Sequence, residues 1–281
     1  MKLSILIPTY NYDPSRLVRQ LQEQLPDDAE IIVGDDSPPH NIGRAARRNQ
    51  LAREAKGEWL LFIDADAEVR SKTFIQDYLD SLSLKSFTPP LDGMGEALVV
   101  CGGTGNLPQC PRPAARLRYD YEVKAEKRLT LAHRRANPYA QFTTFNFLIR
   151  RDLFLSICFD ETLKEYGHED TLFGLELKRR GIPILHIDNK LTHLGIEDAD
   201  DYLRKTETGL RTLAGMSVEQ KRNVRVSAMA ERLHRWHLLG LTRCLFRAGK
   251  PLLRANLLGK HPSQLLFTFY KLGYYVCQES V

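Results

Sequence analysis

Short apolar runs alternate with amphipathic stretches over the first two hundred residues. Each apolar run has four to eight residues and ends near proline, glycine or an acidic residue, as buried strands do. The stretches between them have the 3.6-residue spacing of amphipathic helices. This pattern predicts strands at 3–8, 30–34, 59–63, 97–100, 142–149 and 182–187, and helices at 14–24, 43–55, 74–84 and 169–180.

Alternation of strands and helices indicates crossover connections and a mainly parallel sheet. We therefore predict an α/β fold in which helices flank the sheet. Residues 104–140 lack a clean period and are predicted to form a long, partly helical loop. From about residue 201 the pattern becomes helical and basic. The predicted division is a domain over 1–200 and a helical extension over 201–281.

Acidic residues follow two of the predicted strands. Asp35 ends the second strand, and Asp64-Ala65-Asp66 directly follows the third. Ligands of parallel sheets bind at the carboxyl ends of the strands, so these acids are expected to face one crevice. A charged pair at a buried strand end costs desolvation, which a divalent cation can offset, and carboxylates suit Mg²⁺ or Mn²⁺. The alternative is a solvated corner between strand and loop.

Three other segments place polar groups beside predicted elements. The segment 7–11 follows the first strand, and it is either a turn or part of a nucleotide-base site. The segment 41–49 opens a helix, where arginine can hold a phosphate or a base edge or simply lie in solvent. Glu169 and Asp170 begin another helix, where acids cap the helix or act as a general base. His193 is either a neutral imidazole ligand or a surface histidine.

Composition narrows the setting of the protein. The first apolar stretch is too short for a signal peptide, and no run approaches the ~18 apolar residues of a membrane-spanning helix. The five cysteines show no C-x-x-C spacing, which argues against a disulfide framework or a zinc knuckle. We therefore expect a cytoplasmic protein, with a peripheral position at the inner face of the cell membrane as one option.

The net charge of +5 is unevenly distributed. Residues 201–281 hold 14 Lys and Arg against five Asp and Glu, a balance of +9 that leaves −4 for residues 1–200. Such an asymmetry favours an anionic partner, either a membrane or a nucleic acid. Over 229–277 basic and apolar residues interleave at helical spacing, which suits a helix lying on an anionic membrane. Equally, these helices can pack on the first domain or form a dimer.

In their order along the chain these motifs resemble the family 2 glycosyltransferases with the GT-A fold. The resemblance covers about residues 2–195. It is carried by Ile-Pro-Thr-Tyr-Asn at 7–11, the acids at 35–36, Asn-x-Gly leading into Arg-Asn at 41–49, Asp-Ala-Asp at 64–66, the strand and loop over 145–161, and Gly-His-Glu-Asp at 167–170.

The resemblance implies an inverting, metal-dependent enzyme that moves a sugar from a nucleotide sugar, in particular a UDP-sugar, to an acceptor hydroxyl. The roles that it implies are donor binding by Pro8, Tyr10, Asp35, Arg48, Asp64 and Ala65, binding of Mn²⁺ or Mg²⁺ by Asp66 and His193, catalysis by Asp170 and Glu169 with Asp170 as the base, and an acceptor-side place for His168. The acceptor is expected to be a glycan, glycolipid or glycoprotein. The Arg-rich segment 112–135 is expected on the acceptor side, from its position alone.

Two other functions fit parts of this pattern. A sugar nucleotidyltransferase should carry a Gly-rich phosphate loop with Arg or Lys after the first strand, where this chain has Pro-Thr-Tyr-Asn. A non-catalytic membrane-binding or nucleic-acid-binding module would use the basic tail, but the intact acids argue against lost catalysis. The expected partners are a nucleotide-sugar donor, a glycan or lipid-linked acceptor and an anionic membrane surface. Nucleic acid is not expected, and oligomers are left open.

Overall fold

The computed structural model describes residues 2–83, 99–162, 167–222 and 224–278. Its strands are β1 Leu3–Thr9, β2 Ala29–Asp35, β3 Trp59–Ile63, β4 Ala67–Glu68, β5 Val99–Cys101, β6 Thr104–Gly105, β7 Asn146–Arg150, β8 Ile184–His186 and β9 Leu191–His193. Its helices are α1 Ser15–Gln22, α2 Arg44–Glu54, α3 Phe74–Ser83, α4 Arg116–Arg128, α5 Leu131–Ala136, α6 Arg151–Ile157, α7 Glu169–Arg179, α8 Ala199–Gly215, α9 Val218–Lys221, α10 Arg225–Arg235, α11 Leu239–Leu257 and α12 Gln264–Gln278.

The main sheet has the strand order β2-β1-β3-β7-β5-β8. The β1–β2, β1–β3 and β5–β8 pairs are parallel, and β7 runs antiparallel to both of its neighbours. The predicted mainly parallel α/β sheet is therefore confirmed. The predicted ends of the strand at 97–100 and of the helix at 74–84 lie partly outside the described residues, as does Tyr166 before the Gly-His-Glu-Asp segment.

Alternate side chains of the central strands enter two separate cores, because successive residues of a strand point to opposite faces. Ile5 and Leu61 pack into the core shared with α1 and α3. Leu6 and Phe62 pack into the core shared with α2, α6 and α7. All five residues of β3 are buried. The sheet is thus covered on both faces, which explains why its strands are continuous apolar runs.

A cluster of phenylalanines holds α7 against the second face of the sheet. Phe62 and Phe147 stack with their ring centroids 4.9 Å apart, and Phe173 of α7 lies 4.7 Å from Phe159. Phe142 also stacks on Phe173, at 5.4 Å. Aromatic pairs at such distances add to the stabilisation gained by burial. The cluster therefore fixes the start of α7, where Glu169 and Asp170 lie.

A small second sheet has the order β4-β9-β6. No strand was predicted at Leu191–His193, where the structure has β9. Three-residue strands carry too few side chains to show a period, so tertiary pairing decides them. β9 pairs antiparallel with β4 and parallel with β6.

Residues 104–140 contain more regular structure than the predicted loop. α4 has one buried residue, Leu117, and therefore shows no apolar stripe. Instead, the i,i+4 ion pairs Arg116–Asp120 and Arg118–Glu122 support the helix. Thr130 caps α5 by accepting a hydrogen bond from the His133 amide.

The chain forms two compact units. The first comprises Met1–Leu107, Glu126–Lys164 and Glu169–Gly195, and the second comprises Pro108–Ala125, Glu165–His168 and Ile196–Val281. The second unit has a core of its own, in which Leu203, Phe246 and Tyr270 are buried. No helix among the described residues is both long and apolar enough to cross a lipid bilayer. The functional division at residue 200 stays a prediction.

Candidate functional site

The carboxyl ends of β1 and β2 are joined by a short chain of hydrogen bonds. The amide of Asn11 donates to Ser37 Oγ at 2.7 Å, and this hydroxyl donates to Asp35 Oδ1 at 2.6 Å. Asn11 adopts φ of 49°, which turns the chain away from β1. The preceding Tyr10 is 54% exposed. An aromatic face and a carboxylate therefore stand on neighbouring strand ends, beside the partly exposed Pro8.

The two neighbouring acids after β2 have different environments. Hydrogen bonds from the hydroxyl and amide of Ser37 lower the pKa of the exposed Asp35. Asp35 therefore presents an ionised carboxylate, which accepts hydrogen bonds. Asp36 is buried, accepts a hydrogen bond from the Ile42 amide at 2.8 Å and lies 3.6 Å from Arg47 Nη2. Asp36 therefore holds the following loop, and Asp35 is the acid available to a ligand.

Arg48 of α2 lies between two carboxylates. Its Nη2 donates to Asp64 Oδ1 at 2.7 Å, and its Nη1 is 3.9 Å from Glu169 Oε1. Its guanidinium carbon is 5.7 Å from the centroid of the Phe159 ring. The side chain is only 4% exposed, yet its Nε and Nη1 have no hydrogen-bond acceptor among the described residues. Buried unpaired donors are costly, so these groups are suited to bind an anionic ligand.

Asp64 and Asp66 are separated by a tight turn at the end of β3. The amide of Ala67 donates to the Asp64 carbonyl at 3.1 Å, and the Asp64 amide donates to the Phe145 carbonyl at 3.0 Å. Ala65 between the two acids is buried in the apolar core. Burial raises the pKa of Asp64, and Asp66 raises it further against the opposing charge of Arg48.

The small sheet brings Asp66 and His193 together. Ala67 of β4 pairs with His193 of β9, and the Leu194 amide donates to the Asp66 carbonyl at 2.8 Å. His193 Nε2 consequently lies 3.2 Å from Asp66 Oδ2. A Cβ atom at Gly195 would lie 1.9 Å from Asp66 Oδ2 and 3.1 Å from His193 Nε2. The absence of a side chain at Gly195 therefore leaves room for this pair.

These residues fit a divalent cation that also binds a ligand. A carboxylate oxygen and an imidazole nitrogen are both ligands of first-row metal ions. Across 2–83, 99–162, 167–222 and 224–278, no group of three or more His, Cys, Asp or Glu converges as a full protein cage would. Ions such as Mg²⁺ commonly bind through one or two protein side chains plus substrate phosphates. Asp66 and His193 would hold such an ion, because their ligand atoms lie 3.2 Å apart.

The two acids in the first turn of α7 have opposite pKa shifts. Burial raises the pKa of Glu169, but the charges of Arg44 and Arg48 outweigh burial and make the net pKa lower than usual. Arg44 Nη1 lies 3.1 Å from Glu169 Oε1. Burial, followed by the charge of Glu169, raises the pKa of Asp170 to about 6. Paired groups with diverging pKa values are typical of acid–base sites.

Asp170 also has a structural role, which was the alternative left open by the sequence. Its Oδ1 accepts a hydrogen bond from the Thr171 amide at 2.8 Å. Both acids lie in the first turn of α7, where negative charge is favourable to the helix dipole. Capping and proton transfer are compatible here, because a carboxylate has a second oxygen.

His168 belongs to the second unit of the structure. Its backbone has φ of 71°, and its Nε2 lies 3.1 Å from the Gly209 carbonyl oxygen. The acceptor-side role of His168 stays a prediction.

Three residues near these groups were not predicted from the sequence. Arg44 lies one helical turn before Arg48, a spacing that was visible, although either arginine could have faced solvent. Gly195 follows His193 by two residues, but only the structure shows its contact with Asp66. Tyr12 is 41% exposed, and burial followed by the charge of Asp66 raises the pKa of its hydroxyl, which indicates proximity to Asp66.

No family model matches the chain, and no curated protein matches it. Solved structures do match. S. aureus TarS 1–349 is 16% identical, with 99% of this chain and 89% of that chain covered and a TM-score of 0.50. TarS 1–349 in complex with UDP is 17% identical, with the same coverage and a TM-score of 0.51. The mannosyltransferase PcManGT from Pyrobaculum calidifontis is 15% identical, with 98% of this chain and 85% of that chain covered and a TM-score of 0.56.

Identity this low shows a common fold and leaves the activity to be argued from the site. The mainly parallel sheet flanked by helices matches that of these glycosyltransferases, and further helices follow it along the chain. The chain has a fold of the GT-A glycosyltransferase type, as its sequence predicted.

Proposed function

We propose that this protein is an inverting, metal-dependent glycosyltransferase of the family 2 type. It transfers a sugar from a UDP-sugar to a hydroxyl group of a glycan, glycolipid or glycoprotein. One observation carries the proposal: Arg48 connects Asp64, at the end of β3, with Glu169, beside a carboxylate whose pKa is about 6. A donor-binding acid and a candidate base are thus held around one buried guanidinium.

The donor would bind along the carboxyl ends of β1, β2 and β3. Tyr10 offers a ring to the base, and the ionised Asp35 can accept the imide N–H of uracil. The unpaired N–H groups of Arg48 can donate to the diphosphate or ribose. Among solved structures of this fold, TarS is bound to UDP or UDP-GlcNAc, and PcManGT to GDP-Man with Mn²⁺. Nucleoside-diphosphate sugars are therefore ligands that this fold accommodates.

Mn²⁺ or Mg²⁺, when bound, would supply charge neutralisation for the departing diphosphate. Asp66 and His193 would hold the ion, since their ligand atoms are 3.2 Å apart beside Gly195. The hydrogen bond from Arg48 restrains the Asp64 carboxylate, which would bind the donor.

Asp170 would act on the acceptor. The acceptor hydroxyl loses its proton to the Asp170 carboxylate as its oxygen forms a bond to the anomeric carbon, and the bond from that carbon to the diphosphate breaks. Attack opposite the leaving group inverts the configuration and requires no covalent enzyme intermediate. Glu169 is paired with arginines, so its lowered pKa makes it a poor base. It would instead keep Arg44 and Arg48 in place.

Product analysis with a panel of sugar nucleotides tests the proposal. A glycosyltransferase releases a nucleoside diphosphate, whereas a sugar nucleotidyltransferase exchanges pyrophosphate. We expect UDP release that requires Mn²⁺ or Mg²⁺, stops in EDTA and is lost in Asp66→Ala, with a weaker loss in His193→Ala. NMR of the product should show an inverted anomeric configuration. Full turnover in EDTA would reject the metal requirement, and retained configuration would reject the mechanism.

A further inference from the structure

The second unit carries a stripe of exposed apolar side chains along α11. The stripe consists of Leu241, Leu245, Ala248, Leu252 and Ala255, which recur at spacings of four and three residues and therefore lie on one side of the helix. Leu241, Leu245 and Leu252 are 56%, 54% and 78% exposed. Isolated exposed leucines are ordinary, but a continuous apolar stripe indicates an interaction surface.

The opposite side of α11 is already used. Thr242, Phe246, Leu253 and Leu257 are buried. Phe246 packs on Tyr270 of α12, with ring centroids 5.4 Å apart. A Cβ atom at Gly273 would lie 2.5 Å from the Phe246 ring. The packing of α11 within its unit therefore does not cover the stripe. The helix is also continuous through Pro251.

The end of α10 continues this character. Trp236 follows α10 and is 68% exposed, and Leu238 is exposed just before α11. Met229 and Arg232, both on the exposed side of α10, lie at helical spacing from Trp236. Tryptophan beside leucine and arginine is the composition of helices that lie at a membrane–water interface.

The positive charge of this segment favours an anionic partner. Residues 224–278 contain nine Lys and Arg but one acid, Glu231. Some of these cations are engaged within the unit: Arg254 donates to Asp200 at 2.7 Å, and Lys250 lies 3.7 Å from Glu207. Five exposed cations lie along the same segment, namely Arg225, Arg232, Arg235, Arg247 and Lys260. An apolar stripe with exposed cations and almost no acid complements anionic lipid headgroups over acyl chains.

We propose that the surface formed by Met229, Arg232, Trp236 and the α11 stripe docks on an anionic lipid bilayer, with the leucines entering the headgroup region. This proposal does not rest on the glycosyl transfer proposed above. A second copy of the chain is a poorer occupant, because a symmetric contact would bring Arg232, Arg235 and Arg247 of both copies together. A nucleic acid would use the cations and leave the leucines without a role.

Vesicle flotation with the full chain tests the docking. The probes are phosphatidylcholine vesicles with and without phosphatidylglycerol. We expect flotation only with the anionic vesicles, and release at high salt. The triple variant Leu241→Gln, Leu245→Gln, Leu252→Gln should lose at least about tenfold in partitioning, because the apolar contact is removed. Val218→Gln, at an apolar residue that is 66% exposed outside the surface, should float like the wild type.

Matched charge variants complete the test. The substitutions Arg232→Gln, Arg235→Gln and Arg247→Gln should reduce partitioning into anionic vesicles at low salt by about fivefold for each cation. Removing three exposed cations of the first unit, Arg19, Lys56 and Lys72, should have much less effect. Circular dichroism should show the native melting temperature in all variants, since every altered side chain is exposed.

Three outcomes would overturn the proposal. The first is a wild type that does not float with anionic vesicles. The second is a leucine variant that floats as well as the wild type, which would leave only charge attraction. The third is a wild type that does not bind vesicles but forms a dimer in sedimentation velocity, when the leucine variant is a monomer. That result would assign the stripe to a second copy of the chain.

Discussion

Glu169 and Asp170 are adjacent in sequence, but only Glu169 lies beside guanidinium groups. Arg44 and Arg48 keep the pKa of Glu169 low, while burial and Glu169 itself raise the pKa of Asp170 to about 6. A base with this pKa is ionised at neutral pH and still binds a proton better than an ordinary aspartate. The local environment thus distinguishes two acids that the sequence could only present as a pair, and it supports the proposal that Asp170 is the base.

Replacement of Asp170 by Asn tests the assigned base. The amide keeps the size of the side chain and an oxygen for the Thr171 amide, but it cannot accept the acceptor proton. We expect kcat to fall by roughly 10²–10⁴, the usual contribution of general base catalysis. The Kd of UDP, measured by calorimetry with Mn²⁺, should stay near the wild-type value. A comparable kcat loss in Glu169→Gln with near-normal Asp170→Asn activity would show that the two roles are exchanged.

The pH dependence of kcat/KM follows from the same pKa. The base works when ionised, so activity at saturating Mn²⁺ should rise with pH up to about pH 6 and level off above it. Below that pH the rate should fall about tenfold per unit, as expected for one required deprotonation. Asp170→Asn should lack this limb. A wild-type profile that is flat from pH 5 to pH 8 would contradict the pKa assigned to Asp170.

Stability should change in the opposite sense to activity. An acid whose folded pKa lies above its usual value of 3.8 binds its proton more tightly in the folded state. Wild-type stability is therefore lost as pH rises from about 4 to about 6 and is constant above that range. Asp170→Asn should be more stable than the wild type at pH 7.5 by about 1–3 kcal/mol, with no gain near pH 4. Urea unfolding at the two pH values measures this difference, and equal stabilities at pH 7.5 would count against it.

At the scale of elements, the small sheet makes the candidate metal pair. β4 has two residues and β9 three, yet their pairing sets Asp66 and His193 side by side. Each element is too short to be predicted by period, so the sequence could offer both candidate ligands without showing what brings them together. Gly195 is part of the same arrangement, because any side chain there would overlap Asp66.

Gly195→Ala tests this arrangement, with Gly215→Ala as the matched control. The new methyl group at 195 would displace the Asp66 carboxylate, whereas a Cβ at Gly215 meets nothing within 4 Å. We expect the Mn²⁺ concentration for half-maximal activity to rise at least about tenfold in Gly195→Ala, in line with the sensitivity of metal sites to ligand orientation. Direct Mn²⁺ titration by electron paramagnetic resonance with UDP present should show the same shift. Gly215→Ala should match the wild type, and unchanged Mn²⁺ affinity in Gly195→Ala would reject the site.

The length and burial of an element decide whether its sequence predicts it. β1 and β3 are buried apolar runs, and β2 is a partly buried apolar run that ends in an acid, so these strands and the acids that follow β2 and β3 were predictable. α4 was missed because one buried leucine gives no stripe, and its support comes from ion pairs. The link from Arg48 to Glu169 was also out of reach, since it depends on the phenylalanine cluster that fixes the start of α7.

At the scale of the whole molecule, the chain has cores of two kinds. The first unit buries β-sheet residues on both faces, and the second buries side chains of α8, α10, α11 and α12, such as Phe246, Tyr270 and Tyr275. The change from alternating strands to helices near residue 200 was visible in the sequence. The membership of Pro108–Ala125 in the second unit was not, because it depends on contacts far apart along the chain.

This organisation predicts where a nucleotide should protect the backbone. Every proposed donor and metal residue lies in the first unit. UDP with Mn²⁺, bound to the native state, should therefore slow amide hydrogen exchange in peptides covering 9–12, 35–37, 64–67 and 193–195. At a concentration of 100 times Kd, ligand binding stabilises the folded state by about 2.7 kcal/mol, enough for about a hundredfold slowing of exchange that requires opening of the site.

Peptides from 225–258 should exchange as before, because no proposed nucleotide contact lies there. Asp66→Ala should lose the Mn²⁺-dependent part of the protection and keep its native exchange elsewhere. Protection confined to 225–258 would move nucleotide binding to the second unit and contradict the site at the strand ends.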